Sequence, residues 1–212
     1  MPEMTKDVSI ARFLPATLIP DTPLSNNRLE TFACRTLDIE RIRCERYQDG
    51  NLRMYPPTPE AIWLMVTKIH AELILWLSRT SGDGQAAIRR RFFLDDPTMM
   101  CPDVAYVAPR YKRKQVDINA ERILEICPSF VVEVCSHPRE LRSLKDKMLR
   151  WIASGVELGW LVVPQEECIF VYLPGSEPAI VEQDFAFGEG PLEDFFIFLD
   201  EIWRLDAYKR RY

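Results

Sequence analysis

Two acidic residues stand where buried β-strands are predicted. Glu133 is the only charged residue in the apolar run Phe130–Val134, which is typical of an interior strand covered on both faces. Asp103 follows Pro102 and starts a second apolar run at residues 104–107; proline is tolerated at this end of a strand. A buried carboxylate without a partner costs on the order of several kcal/mol, so it protonates, pairs with a cation or binds a metal.

Acids on neighbouring strands would repel each other unless a positive group lay between them. Mg²⁺ suits such a place, because it prefers one or two carboxylates, waters and substrate phosphates. A lysine nearby could hold or deprotonate an attacking water, since its pKa shifts readily in a crowded site. A metal site for hydrolysis is therefore one of two interpretations of these residues. The alternative is structural: Asp103 caps a turn and Glu133 pairs with an arginine.

The segment after this acid strand is predicted to be a helix that carries lysines. His137 takes the N-cap position, Pro138 the first helical position and Glu140 the first turn. The buried stripe that follows consists of Leu141, Leu144, Met148, Trp151 and Ile152. At about 100° per residue, Lys145 and Lys147 lie just outside opposite edges of this stripe. The helical period alone does not choose between them.

The rest of the pattern predicts the elements that must position these residues. It gives a short helix at 22–36, a hairpin at 41–55 around an Asp-Gly turn signal and a long core helix at 58–77. Next come strands at 87–95 and 103–107, a basic insert to about 127, a hairpin at 158–173 and an apolar segment at 195–203. We therefore expect an α/β (α+β) fold with a mixed β-sheet flanked by helices. The expected organisation is a loose N-terminal arm at 1–20, a single domain at 21–205 and a basic tail at 206–212.

Bulk composition excludes several classes of protein. The 212 residues carry a net charge of −5, so any polyanion must be held by a local patch or through a metal. Six cysteines without a Cys-x-x-Cys pair, and only two histidines, argue against zinc and favour a reducing, cytoplasmic setting. We expect no signal peptide. The most apolar stretch, residues 61–77, is too short and too charged to predict a membrane span.

Several motifs, taken in order, resemble those of the Uma-type restriction endonucleases, which belong to the PD-(D/E)XK nuclease superfamily. They are Pro102-Asp103, the strand at 130–134 with the following Cys-Ser, Leu144-Lys-Asp-Lys147-Met, residues 155–164, and the opening hairpin at 41–58. The resemblance covers roughly residues 41–203. It implies that the domain at 21–205 is restriction-endonuclease-like.

The same resemblance implies a site for Mg²⁺ or Mn²⁺. Asp103 and Glu133 would bind the metal, with the backbone carbonyl of Val134 as a further ligand. The superfamily's lysine usually stands two residues after the acid, on the same face of the strand, and Cys135 holds that place here. The family pattern moves the lysine to Lys147; the other lysine of the helix is the fallback.

The resemblance also implies that Glu45 is a third active-site acid, which either binds a second metal or positions water. The residues alone favour another interpretation. Strand alternation puts Glu45 on a polar face with Arg43 and Tyr47, which is typical of a solvated edge residue.

The implied function is that of a metal-dependent endonuclease hydrolysing phosphodiester bonds of nucleic acid, with DNA as the expected substrate. Basic residues at 110–114 would contact phosphates, and cutting both strands of a duplex suggests a homodimer. No membrane or small-molecule cofactor is expected.

One departure from the family favours a different function. The family commonly follows its acid strand with Ser-Pro-Ser-Asp, whereas this chain has Ser136-His137-Pro138-Arg139. The alternative is a catalytically inactive nuclease-fold module for binding or assembly. A third option is a redox or metal protein built on the cysteines.

Overall fold

The computed structural model describes residues 14–21, 24–32, 42–80, 83–94, 98–110 and 123–207. Its strands and helices, in chain order, are β1 (Ala16–Leu18), α1 (Asn26–Phe32), β2 (Arg43–Arg46), β3 (Leu52–Tyr55), α2 (Glu60–Arg79), β4 (Gln85–Ile88), β5 (Arg91–Phe93), β6 (Met99–Met100), β7 (Val104–Val107), β8 (Ile123–Leu124), β9 (Phe130–Val134), α3 (Leu141–Ala153), β10 (Leu158–Val163), β11 (Cys168–Tyr172), β12 (Ala179–Val181), β13 (Phe185–Phe187), β14 (Phe196–Phe198) and α4 (Leu199–Ala207). The chain divides into two compact units, Met1–Pro57 with Asp95–Cys101, and Thr58–Leu94 with Pro102–Tyr212.

The first unit contains antiparallel strands in the order β1-β3-β2-β6. β2 and β3 form the predicted hairpin, and Gly50 turns the chain with a φ of 77°, which glycine adopts without steric strain. β2 is interior, because β6 pairs with it on the side away from β3. β1 lies in the segment expected to be a loose arm, of which residues 1–13 are outside the described ranges.

The second unit is built on six strands in the order β12-β11-β10-β9-β7-β4. β9 and β10 are parallel and the other neighbouring strands are antiparallel, so the predicted mixed sheet is confirmed. Two further pairs, parallel β5–β8 and antiparallel β13–β14, belong to the same unit. The single strand predicted at 87–95 is instead β4 and β5. Arg89 separates them because its φ of 51° lies in the left-handed region.

Helices cover both faces of the six-stranded sheet. On one face the core joins α2 to alternate residues of β7, β9 and β10, among them Val132 and Trp160. On the other face α3 packs over β9, β10 and β11. Gly159 lies under α3, where a Cβ would meet the flexible end of the Met148 side chain and that end would have to shift. Each face of β9 is therefore covered, as a strand with apolar residues on both faces requires.

α2 is the one described helix that, by length and composition alone, is long and apolar enough to cross a membrane. Core helices of soluble proteins share this property. Five of its residues pack in the core of the second unit: Ile62, Met65, Val66, Ile69 and Leu73. The predicted core helix at 58–77 is confirmed with a shift of two residues: it spans Glu60–Arg79, and Pro59 takes the N-cap position.

Candidate active site

Glu133 lies in β9, between β7 and β10, with its side chain 0% exposed. Successive side chains of a strand point to opposite faces of a sheet. Val132 and Val134 belong to the core on the α2 face, so Glu133 points to the α3 face. The predicted interior strand with a single acid is confirmed.

Two groups on α3 hold the Glu133 carboxylate. Nζ of Lys147 lies 2.6 Å from Oε1 of Glu133, and the two side chains are 4% and 0% exposed. Trp151, one helical turn further on, donates its indole N–H to the same oxygen at 3.0 Å. Removing one partner from a buried ion pair of this kind costs on the order of several kcal/mol, because the other charge stays buried.

The helical period does not distinguish Lys145 from Lys147, but the structure gives the two side chains different neighbours. Lys145 places its Nζ 3.8 Å from the centroid of the Phe170 ring, whereas Lys147 contacts the acid. Cys135, two residues after Glu133, is buried, and burial raises the pKa of its thiol to about 11. That thiol is therefore uncharged at neutral pH. The positive charge beside Glu133 is therefore that of Lys147 on α3, and position 135, which follows β9, supplies none.

Asp103 lies one residue before β7 and contacts β9 on both sides of Glu133 in the sequence. Its backbone N–H donates to the Val132 carbonyl at 3.0 Å, and its Oδ2 accepts the N–H of Val134 at 2.9 Å. The N–H and C=O of one strand residue point to the same lateral side of the strand. The Val134 carbonyl therefore points to the side of β9 on which Asp103 lies. This brings two carboxylates and a carbonyl to one end of the β7–β9 pair.

Asp103 pairs with a guanidinium group. Nη2 of Arg89 lies 3.1 Å from Oδ1 of Asp103, and the backbone N–H of Arg89 donates to the Asp103 carbonyl at 3.2 Å. The same guanidinium contacts Oγ1 of Thr58 and lies over the Trp63 ring, 5.3 Å from its centroid. The structural alternative expected an arginine on Glu133; the structure shows Lys147 on Glu133 and Arg89 on Asp103. The sequence did not predict the contact of Arg89 with Asp103. That contact depends on a left-handed backbone conformation at Arg89, which its residue type does not predict.

Glu45 belongs to the first unit and is 0% exposed. The expectation from alternation, a solvated edge residue, is wrong: β2 is an interior strand, with β6 paired on the side away from β3, and the Glu45 side chain is buried. Hydroxyls of Tyr47 and Tyr55 donate to Oε2 of Glu45 at 3.3 and 3.4 Å, and the Cys101 N–H donates to Oε1 at 3.3 Å. Burial, and then the charge of Glu45, raises the pKa of Tyr55. The role of Glu45 as a third active-site acid stays a prediction.

The oxygen atoms at Asp103 and Glu133 are hard donors that fit Mg²⁺ or Mn²⁺. These carboxylates and the Val134 carbonyl would hold the ion. Across the residues that the structure describes, no three His, Cys, Asp or Glu side chains form a metal-binding group. The remaining ligands would come from outside the chain, which suits Mg²⁺ because this ion usually keeps several waters.

His137 caps the turn at which the family motif changes. Its Nδ1 accepts the backbone N–H of Arg139 at 3.1 Å, and both side chains are exposed. The predicted N-cap role is confirmed, with one difference: the capped element is a 3₁₀ turn, Pro138–Glu140, and α3 begins after it at Leu141.

Arg110 is the only member of the basic segment 110–114 within the described ranges. Its Nη1 lies 3.1 Å from Oε2 of Glu157, and its Nη2 donates to Oγ of Ser129 at 3.2 Å. The charge of Arg110 is thus engaged within the chain. Phosphate contact by residues 112–114 stays a prediction.

Comparison of this sequence with protein-family models gives a match that includes the residues of this site. A family model, Uma2, described as "Putative restriction endonuclease", matches residues 29–196. The chain belongs to the Uma2 family. The match contains all four predicted catalytic residues: Glu45, Asp103, Glu133 and Lys147. It confirms the family resemblance drawn from the motifs.

Five chains among the solved structures match this Uma2 member. One is titled a "putative nuclease belonging to DUF820" from Anabaena variabilis. It has a TM-score of 0.64 and 17% sequence identity, and the alignment covers 76% of this chain and 90% of that one. A search of curated proteins found no match. The structural likeness shows a shared mixed α+β fold.

Proposed function

We propose that this Uma2 member is a Mg²⁺- or Mn²⁺-dependent endonuclease that hydrolyses phosphodiester bonds of nucleic acid, with DNA as the substrate. The observation that carries the proposal is the buried contact of Lys147 with Glu133 beside Asp103. Family membership supports a nuclease, and the oxygen donor set supports a hard divalent cation.

In this proposal the chain's own groups position the reactants. A bound divalent cation would polarise the scissile phosphate and lower the pKa of a coordinated water. Glu133 and Asp103 would hold the ion and orient the attacking water, and the Lys147 ammonium would steer that water and stabilise the negative charge that develops on it as its proton passes to solvent. Attack of the water oxygen on phosphorus forms the new P–O bond and breaks the P–O3′ bond, and the 3′ oxygen leaves in line and takes up a proton from solvent.

The test measures cleavage of duplex DNA, single-stranded DNA and RNA in Mn²⁺. Asp103→Asn keeps an acceptor for the Val134 N–H but removes the charge, and Lys147→Met removes the cation. Each is expected to lower the rate by about 10²- to 10⁴-fold. Lys145→Met is the matched control, because that lysine lies on the same helix but contacts Phe170. Cleavage by Asp103→Asn at the wild-type rate would refute the mechanism.

A second candidate is a nuclease-fold binding module that does not cut. It is favoured by the cation that each acid already has, Arg89 on Asp103 and Lys147 on Glu133. Titration calorimetry with Mn²⁺ separates the candidates. Saturable binding that Glu133→Gln abolishes supports the enzyme, whereas absence of heat and of a Tm shift supports the module.

Nucleic acid is the partner that this function requires, and we propose a homodimer for cleavage of both strands. A two-fold axis would bring one site to each strand. Sedimentation of the protein with and without a duplex tests this assembly. A monomer at every concentration that cuts both strands would contradict it.

A further inference from the structure

β13 and β14 present four phenylalanine rings on one face. The register pairs Phe185 with Phe198 and Phe187 with Phe196. The residue between each two rings points the other way and is buried: Ala186 is 1% exposed and Ile197 is 2% exposed. The hairpin is therefore two-sided, with its small or aliphatic side chains in the core and its large aromatic side chains outside.

These four rings, which we call the Phe face, form a continuous surface. The cross-strand centroid distances are 4.9 Å for Phe185–Phe198 and 6.2 Å for Phe187–Phe196. Along the strands the distances are 6.1 Å for Phe185–Phe187 and 5.6 Å for Phe196–Phe198. Even so, Phe187, Phe196 and Phe198 are 60%, 45% and 48% exposed. An exposed apolar patch of this kind marks an interaction surface, because its burial against a partner is favourable.

Acidic residues stand at both ends of the Phe face. Five exposed carboxylates, here called the acidic rim, flank the two strands in the chain: Glu182, Asp184, Glu189, Glu193 and Asp194. None of them makes a salt bridge with another residue in the described ranges. By contrast, Asp200 pairs with Arg204 and Glu201 with Lys68. No lysine or arginine occurs between Arg150 and Arg204, so the segment that carries the Phe face has acidic residues and no basic residue of its own.

The sign of this charge selects among possible occupants. Nucleic acid and anionic lipid would be repelled by the rim. A second copy of the chain docked through the same face would bring two acidic rims together, which costs energy. A protein segment with apolar side chains beside lysine or arginine satisfies both parts of the surface: its apolar groups cover the rings and its cations meet the rim.

We propose that the Phe face and its acidic rim form a docking site for a basic, apolar segment of a partner protein. The site is separate from the residues proposed for catalysis, and it stands whether or not the chain cuts nucleic acid. Apolar contact supplies the affinity, and the rim supplies the preference for a cationic partner and speeds encounter.

The test uses a fluorescent amphipathic peptide of leucine and lysine, with a leucine and glutamate peptide as its counterpart, and measures fluorescence anisotropy with the full chain. The lysine peptide should bind saturably and more weakly at higher salt. The double variant Phe187→Ser/Phe198→Ser should weaken binding by more than about tenfold. Ile180→Ser is the matched control, because Ile180 is 56% exposed on β12 and lies outside the Phe face; it should bind like the wild type.

A second variant, Glu189→Lys/Glu193→Lys, leaves the rings in place and should abolish the preference for the lysine peptide. The proposal is overturned if the wild-type protein binds neither peptide or binds both with the same affinity. It is overturned as well if Phe187→Ser/Phe198→Ser binds the lysine peptide as tightly as the wild type does. It is also overturned if the Phe variant instead loses self-association in sedimentation, or loses binding to a single-stranded oligonucleotide or to anionic vesicles. Nuclease activity should be the same in the Phe variant and the wild type, so this proposal and the proposed function fail independently.

Discussion

Replacing Lys147 with methionine removes the cation from a fully buried carboxylate while keeping a side chain of similar length. The two charges are 2.6 Å apart, and with an effective dielectric constant of about 20 they attract by about 6 kcal/mol. Part of that attraction offsets the desolvation of both groups. Loss of one partner from such a pair is expected to lower the free energy of unfolding by about 3–5 kcal/mol. In a chain of this length Tm would fall by roughly 6–20 °C.

The assay is urea denaturation followed by circular dichroism, with the slope of the transition checked for constancy. Lys145→Met is the control and should cost less than about 1 kcal/mol, because Lys145 is half-exposed and its Nζ makes a cation–π contact with the Phe170 ring. Adding Glu133→Gln to Lys147→Met should restore part of the stability, since the unpaired charge is then gone. Equal losses for the two lysine variants, or no recovery in the double variant, would refute the reasoning.

Three further predictions rest on individual contacts. Arg89→Met should tighten Mn²⁺ binding by about tenfold in calorimetry, because a guanidinium 3.1 Å from Asp103 opposes a second cation there; weaker binding would mean that Arg89 positions the acid. Burial lowers the pKa of His70, so His70 binds a proton more readily in the unfolded chain than in the folded chain. The folded state should therefore lose stability as pH falls below about 6.5, and His70→Gln should show a smaller loss in denaturation at pH 5; identical pH profiles would contradict this. Since burial raises the pKa of the Cys135 thiol to about 11, iodoacetamide at pH 8 should alkylate Cys135 more slowly than half-buried Cys127, as peptide mass spectrometry would show; the reverse order would contradict it.

The central strand and its acid could be predicted because their signal is local. Four apolar neighbours around Glu133 already require a covered strand, and the helix start at His137 and Pro138 follows from backbone chemistry. The choice of Lys147 was different. Both lysines border the apolar stripe, and only the packing of α3 on β9 decides which one reaches the acid.

The rest of the site depends on contacts that are distant in the sequence. Glu45 is buried on an interior strand, and β2 is interior because β6, more than fifty residues later in the chain, pairs with it. The period-two alternation of residues is a property of one strand and contains no information on which strands pair with it. It therefore does not distinguish an interior strand from an edge strand. Arg89 reaches Asp103 through a backbone conformation that arginine rarely adopts.

The hydrogen bond from Trp151 to Glu133 gives this site an optical readout. An indole whose N–H lies on a carboxylate oxygen experiences a strong local field, and its emission wavelength responds when that field changes. Of the five tryptophans in the chain, Trp151 is the one whose nitrogen meets Glu133. A protein that keeps Trp151 and carries phenylalanine at the other four positions would report directly, in fluorescence, each event that moves charge at this carboxylate.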